Sequence, residues 1–462
     1  MLCLAAGCTR SQPPNIILIV ADTLRADRIG AAGNPRGITP FIDSLAARGY
    51  VFHNAYAPSS WTNPSVASIL TSRYQSQHGI VTFESVLADS EVTLPEALKP
   101  RGYTTGFFSA NGLISRRMGF SQGYDLYRSI LVKGKDEPRY LWIPERSDRI
   151  NGDALGWVDS VTKTAPTTPI FLHMHYMEPH NPYSPRAEAL DTIADGHEQP
   201  DVQKANGSAF FGHTIQLTPE MLTNLVDVYD AEVLSLDIGL RSLFAELEQR
   251  HLLDNAVVVI TADHGEEFKE HGLIGHDKSL YEEVVRVPLI MLVPGHTERT
   301  DIDRVVSLVD IAPTLVDLAG AAIPPAFEGH SFKGTLINDP NRWRLLSWLA
   351  GKPGSDGAPG SAYTELIKNA ERNAKRFTPH EHAIVLGSHK LIVGTAGEHE
   401  YYDLKADPGE KNPNGLSEAE RNKLQNAYDL VRTRARERAA PRDTQELDPE
   451  TRERMRALGY DH

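Results

Sequence analysis

Asn15–Ala21 (NIILIVA) is an unbroken apolar, largely β-branched run, with prolines before it and an acid after it. A run with no polar face predicts a strand buried on both sides, as in a parallel sheet. Similar runs recur at Thr104–Phe108, Ile170–Met174, Ala256–Thr261 and Val287–Val293. Between them lie stretches of helical period, among them Thr39–Arg48, Val92–Lys99 and Met221–Glu248. Strand and helix alternating in this way predict an α/β fold: a doubly wound, mostly parallel sheet sandwiched by helices.

The pattern changes at Gly351–Ser361 (GKPGSDGAPGS), which reads as a linker or loop. Beyond it, His382–Leu386, His389–Val393 and Glu400–Leu404 suggest short antiparallel strands, and Glu418–Arg438 a helix. The tail Leu447–Tyr460 opens on Asp-Pro-Glu and carries basic residues late, as a helix dipole prefers. The expected organisation is a catalytic domain over 15–345, a small C-terminal α+β subdomain over 346–440 and a helical tail over 441–462.

Charge and cysteine content narrow the chemistry. Of 462 residues, 47 are Lys or Arg and 61 are Asp or Glu, a formal charge of −14. Such a chain has no global field for nucleic acid, so an anionic substrate needs a local cation. Two cysteines, Cys3 and Cys8, leave no disulfide framework, cysteine zinc site or buried thiol nucleophile. Residues 1–14 contain MLCLAAGC, which resembles a bacterial lipobox, although no basic segment precedes it. Lipidation of Cys8 would give membrane association without spanning, and a place in the cell envelope. No stretch approaches the roughly 18 apolar residues of a membrane-crossing helix.

Open parallel sheets bind ligands beyond the carboxyl ends of their strands. The first run ends in Asp22, the fourth runs into Asp263 and His264, and the third leads to His175 and His180. Taken singly, an aspartate there is a turn former or helix cap. Together, acids and an imidazole at several strand ends make a hard site suited to Mg, Ca, Mn or Zn. Thr62 (in SSWTNPSVASILTSRY) is a further candidate. Pro64 suits a first helical position with Asn63 as its cap, so Ser65–Tyr74 is the predicted helix. Thr62 then lies at the positive helix end, where an oxyanion is stabilised. Its hydroxyl becomes a nucleophile only when a bound divalent metal lowers its pKa; otherwise it is an ordinary threonine. No GxxxxGK, GxGxxG or HExxH occurs, which sets aside P-loops, dinucleotide folds and zincins.

PNIILIVADTLRADRIG, TPFIDSLAARGYVFHNAYAPSSWTNPSVASILTSRYQSQHG, FLHMHYMEPHNPY, VVVITADHGEEFKEHGLIGHDKSLYEEVVRVPLI and VSLVDIAPTLVDLAG together resemble the sulfatase family of the alkaline phosphatase superfamily. HKLIV and EYYDLKADPGE resemble its closing subdomain. The resemblance implies a metal held by Asp22, Thr62, Asp263 and His264, with Thr62 as nucleophile. It implies catalytic or substrate-binding roles for His180 and His276, and substrate binding by Asn111. The departures are specific. The family motif Cys/Ser-x-Pro-x-Arg is Thr62-Asn63-Pro64-Ser65-Val66 here, and formylglycine cannot form from threonine. Thr23 stands in place of the second of two paired acids, His276 where a lysine is commoner, and Lys-x-His has no clear match.

A threonine in this surround resembles the superfamily's phosphodiesterases and phospho-group transferases. The expected reaction is hydrolysis of phosphate mono- or diesters or related phosphoryl or sulfuryl esters. His180 and His276 would steady the oxygens or protonate the leaving group. A formylglycine-free sulfatase, a transferase to a glycan or lipid acceptor, and an inactive anion-binding relative remain open. In two-metal members of the superfamily further Asp and His ligands hold a second ion; Glu178, His180, His271 and His276 are the candidates for such a set here, against the simpler reading of a single metal. Arg25 and Asp27 are expected to tie down a loop, Arg73 to lie on a solvated face, His78 to be structural, and His380 and His382 to be surface residues.

Overall fold

All five apolar runs lie in one sheet of the computed structural model, which describes residues 12–129, 147–211, 216–336, 360–367, 380–438 and 444. Its strands, in chain order, are β1 (Asn15–Ala21), β2 (Tyr50–Tyr56), β3 (Thr104–Ser109), β4 (Leu126–Ser129), β5 (Ile170–Tyr176) and β6 (Ala256–Ala262). A hairpin of β7 (Glu267–Phe268) and β8 (Ile274–Gly275) follows, then β9 (Arg286–Leu292), β10 (Thr300–Ile302) and β11 (Val306–Ser307). The sheet order is β10-β2-β9-β6-β1-β5-β3-β4, with β11 also beside β2. β1 is central and parallel to both neighbours, Ile16 lying opposite Phe171 on one side and Val257 on the other. β9 runs antiparallel to β6 and β2, so the sheet is mixed but mostly parallel.

This order explains the patterning. Ile16 to Ala21 are wholly buried because strands flank β1 on both edges and other elements cover both faces. The helix Pro219–Gln249 packs against the helices Ser147–Thr164 and Pro40–Ala46. At its start Thr218 accepts the Met221 amide and Pro219 occupies the first turn, a sequence-encoded cap.

A second, antiparallel sheet holds β12 (Ser361–Glu365), β13 (His380–Leu386), β14 (His389–Gly394) and β15 (His399–Asp403), in that order. The helix Glu418–Glu437 packs on β13 and β14. Ser361, expected to close a linker, instead opens β12; the rest of that linker, apart from Gly360, lies outside the described residues, as do Cys8 and the tail helix expected at Leu447–Tyr460. β12 serves the larger domain directly. The Thr364 hydroxyl donates to the Ala57 carbonyl and the Glu365 amide to Pro58, pinning the segment that leads to Thr62.

Two minor expectations fail. His382 is buried, its Nδ1 2.8 Å from the Tyr363 hydroxyl, because β13 turns that position inward. Arg73 is not a solvated face residue: its guanidinium lies 2.6 Å from the buried Glu91 carboxylate. Arg25 and Asp27 do tie down a loop, through an ion pair at 2.8 Å and a second from Arg25 to Glu270 at 2.6 Å. His78 is buried and takes part in a 3.0 Å hydrogen bond with Ser68. No helix among the described residues is long and apolar enough to cross a membrane.

Lys390 joins the two sheets' domains. Its fully buried ammonium lies 3.0 Å from Glu282 and 2.8 Å from Glu410. Replacing it by methionine leaves the buried Glu410 and the part-buried Glu282 facing each other, so Lys390→Met should lower the unfolding free energy by about 3 kcal/mol. Urea denaturation checks this, and a loss below about 1 kcal/mol would mean that the contact behaves like a surface pair.

Candidate active site

Four adjacent strand ends deliver the site. β6 and β1 are in register to Ala262 and Ala21, so Asp263 and Asp22 emerge side by side. β5 contributes His175 from within the strand, and the chain leaving β3 contributes Asn111. Thr23 turns the chain away in a left-handed conformation (φ 61°). Its amide donates to Asp263 Oδ1 at 3.3 Å, as does the His264 amide at 3.0 Å. Asp22 Oδ2 accepts from Asn111 Nδ2 at 2.7 Å and from His175 Nε2 at 3.3 Å. Each carboxylate therefore has one oxygen tied to the protein. The other oxygens, Asp22 Oδ1 and Asp263 Oδ2, are buried and have no hydrogen-bond partner.

His264 faces these oxygens with a defined tautomer. Its Nδ1 lies 2.9 Å from the Gly265 carbonyl, which only accepts, so the ring proton sits on Nδ1 and Nε2 presents a lone pair. That Nε2 is 3.5 Å from Asp263 Oδ2 and 3.7 Å from Asp22 Oδ1. Gly265 is required there: a Cβ would meet the Glu283 carbonyl oxygen at 2.1 Å.

Thr62 completes the group. The structure starts the helix at Thr62 and ends it at Thr71, not Ser65 to Tyr74. Trp61, in extended conformation, takes the cap position without a side-chain bond, so Asn63 is a helical residue and not the cap. Pro64 is accommodated because first-turn amides need no intrahelical acceptor. The Ser65 hydroxyl donates to the Asp263 carbonyl at 2.6 Å, fixing the helix start to the end of β6. The Thr62 hydroxyl thereby lies 3.3 Å from His264 Nε2, wholly buried.

The electrostatics are those of two acids buried side by side. Burial pushes the Asp22 carboxyl up, but His180, His175 and His264 outweigh it and hold the group well below its usual range. Burial, then the Asp22 charge, pushes Asp263 up to about 7. Burial keeps His264 below the ordinary imidazole value. Two buried carboxylates of this kind repel, and Asp22, Asp263 and His264 bring their ligand atoms within 4.8 Å of one another. Two orphaned oxygens, an imidazole lone pair and a hydroxyl form a donor set that fits a divalent cation.

His180 and His276 stand beside this group. Their ring centroids are 5.0 Å apart, and the His276 ring is 4.5 Å from that of His264. His276 Nδ1 donates to Glu266 Oε1 at 3.1 Å, and His180 Nδ1 to the Asn181 carbonyl. Burial raises Glu266 to about 7. Sequence reading missed Glu266, although it lies two positions after His264, and gave no role to His175. Asn111 does reach the site, through Asp22. The second metal set is not assembled: among the described residues Glu178, His180, His271 and His276 share no cluster of ligand atoms. His271 instead pairs with Glu283 at 2.6 Å, and Glu178 accepts the Ser147 amide at 2.7 Å.

Comparison with known proteins decides the ancestry, since the sulfatase family profile matches residues 14–321. The chain belongs to the sulfatase family. It is 25% identical to the N-acetylglucosamine-6-O-sulfatase of Bacteroides thetaiotaomicron, over 88% of this chain and 84% of that protein. Among solved structures it is similar to a protein in complex with its substrate D-glucosamine-2-N,6-O-disulfate (TM-score 0.73, 23% identity, 92% and 98% of the two chains). It is also similar to the phosphonate monoester hydrolase of Agrobacterium radiobacter (TM-score 0.70, 21% identity, 95% and 98%). The fold is that of the family, and this sulfatase-family chain is an ester hydrolase.

The acid pair gives a test with opposite signs. Asp263→Asn keeps the Oδ1 acceptor for two amides and removes one of the repelling charges. With chelator present the variant should melt higher than the parent protein, and with saturating divalent cation lower. Calorimetric melting temperatures check this; a variant that melts lower in both conditions would contradict the electrostatic reading.

Proposed function

We propose that this sulfatase-family chain is a divalent-cation-dependent hydrolase of phosphate mono- or diesters, phosphonate esters and related phosphoryl or sulfuryl esters, with Thr62 as nucleophile. The observation that carries the reading is the buried Thr62 hydroxyl, 3.3 Å from His264 Nε2 at the start of a helix anchored to the end of β6. Threonine cannot yield formylglycine, so the attacking atom must be the hydroxyl oxygen itself. A cation held by Asp22, Asp263, His264 and Thr62 would lower the hydroxyl's pKa and offset charge on the substrate.

The remaining residues bind and move protons. Asn111 Nδ2 uses one hydrogen on Asp22 and retains another for a substrate oxygen. His180 and His276 donate to the oxygens that gain charge. As Thr62 Oγ1 bonds to phosphorus, one of these imidazoles takes the hydroxyl proton and gives it to the leaving alkoxide, whose bond to phosphorus breaks. The Glu266 contact holds the His276 ring for that role. Water then attacks the phosphorus of the Thr62 ester; the same imidazole takes a water proton and passes it to Thr62 Oγ1 as that P–O bond breaks, which releases the phosphate and restores the hydroxyl. Support for phosphorus over sulfur comes from the missing formylglycine and from Val66 in place of arginine, which leaves imidazoles and an amide as donors. The phosphonate monoester hydrolase named above shares the fold. The MLCLAAGC motif supports a place in the cell envelope through Cys8, with an anionic ester as partner.

The test is a panel of aryl phosphate mono- and diesters, phosphonates and sulfates. Thr62→Ala should lose at least about 1,000-fold in kcat/KM with its melting temperature retained, and His276→Ala about 100-fold. Mass spectrometry of acid-quenched enzyme should show the added phosphoryl group on Thr62. Fastest turnover of sulfate esters together with an undiminished rate in Thr62→Ala would overturn the proposal.

A further inference from the structure

We infer that His271 is a positioning residue: clamped between Glu283 and the Glu410 carbonyl, it latches the β7–β8 hairpin to the small C-terminal domain and so holds Glu266 and His276 in place. The positioning role rests on the reaction proposed above; the latch itself rests on geometry alone.

The hairpin is a short lever with the site at its base. Glu267 pairs with Gly275 and Phe268 with Ile274, so Glu266 and His276 leave it side by side, with Oε1 and Nδ1 3.1 Å apart. Two residues per strand are too few to hold a hairpin without outside contacts. The tip supplies them. Lys269 (φ 70°) and Gly272 (φ 88°) turn the chain, and His271 lies between them. Its Nδ1 is 2.6 Å from Glu283 Oε1, in the short helix Glu282–Val285, and its Nε2 is 3.1 Å from the Glu410 carbonyl oxygen. Glu410 and Lys411 belong to the small domain, in the loop that follows β15, and Lys411 donates to the Glu270 carbonyl at the same tip.

A carboxylate and a carbonyl only accept, so both ring nitrogens carry hydrogen and the ring is an imidazolium. The Tyr281 ring stacks on it with centroids 3.5 Å apart, as suits a cation. Every neighbouring segment brings a charge. Glu267 of β7 accepts the His271 amide at 3.2 Å, Glu270 of the turn pairs with Arg25, and Lys411 faces the ring from the small domain. Glu282 and the Glu410 carboxylate are taken by Lys390, which leaves Glu283 as the direct partner. Burial pushes the ring toward neutrality, but the Glu283 hydrogen bond and charge outweigh it and hold the group above its ordinary range. A folded value above the unfolded one makes the latch complete below about pH 6.5 and lost as pH rises through the folded value. The neutral ring keeps Nδ1–H for Glu283, and its Nε2 lone pair then repels the Glu410 carbonyl.

Hydrogen exchange read by mass spectrometry on the full-length protein, corrected for the intrinsic pH dependence of exchange, reports the latch without an activity. Between about pH 6 and about pH 9, exchange in residues 266–276 should accelerate at least about fivefold. His271→Gln carries a neutral amide that does not titrate, so it should exchange faster throughout and show no such step. Glu283→Gln keeps an acceptor and removes the charge, and should move the step down by at least about one pH unit. On the fastest aryl ester of the panel, kcat should fall about tenfold across the same step with KM within about twofold, and His271→Gln should lack that inflection. Corrected exchange that is equal at both pH values, or a step that survives in His271→Gln, overturns the latch. A step in exchange with no matching fall in kcat overturns the positioning role. Turnover of none of the esters overturns the reaction and the positioning role with it, while the exchange step still decides the latch.

Discussion

Two fully buried carboxylates, Asp22 and Asp263, are held together at the ends of neighbouring parallel strands, and the rest of the site is arranged around that repulsion. Parallel pairing of β1 and β6 makes the proximity unavoidable, because both chains leave the sheet at the same level. The protein satisfies one oxygen of each acid with amides and side chains and leaves the other bare. Bare, buried carboxylate oxygens are costly unless a cation meets them. The lone pair of His264 and the hydroxyl of Thr62 converge on the same point.

Delivery of Thr62 to that point depends on elements far apart in the chain. Its helix is fastened to β6 by Ser65, and the preceding segment is fastened to the second sheet through Ala57 and Pro58. The small domain is therefore part of the scaffold for the nucleophile. Lys390 between Glu282 and Glu410 secures the same junction next to the loop that carries His276. Precision at the hydroxyl is obtained from backbone hydrogen bonds and a buried ion network, not from the short local sequence alone.

The central fold was legible because β1, β3, β5, β6 and β9 are buried on both faces and so are apolar almost throughout, His173 in mid-β5 being a buried exception partnered by the Tyr124 hydroxyl. β2 escaped notice because His53 and Asn54 interrupt its apolar pattern where pairing with β9 shifts register. β4 and β10 are short outer strands, and β12 is fixed by its partners rather than by its own composition. Asp22, Thr62, Asp263 and His264 were legible as a group, since polar residues just after buried runs must share one edge of the sheet. The helix start was misread because Asn63-Pro64 is a good capping pair, yet tertiary contacts from Ser65 carry the helix one turn earlier. Glu266, the Asn111–Asp22 contact and the burial of His382 depend on packing between distant segments, which local pattern does not report.

A crystal structure of the protein loaded with a divalent transition cation, with anomalous data at that metal's absorption edge, would locate the ion between the two acids. One strong peak is expected within bonding distance of Asp22 Oδ1, Asp263 Oδ2, His264 Nε2 and the Thr62 hydroxyl. A peak held by other residues, or a Thr62 oxygen turned away from an ion bound between the two acids, would contradict it.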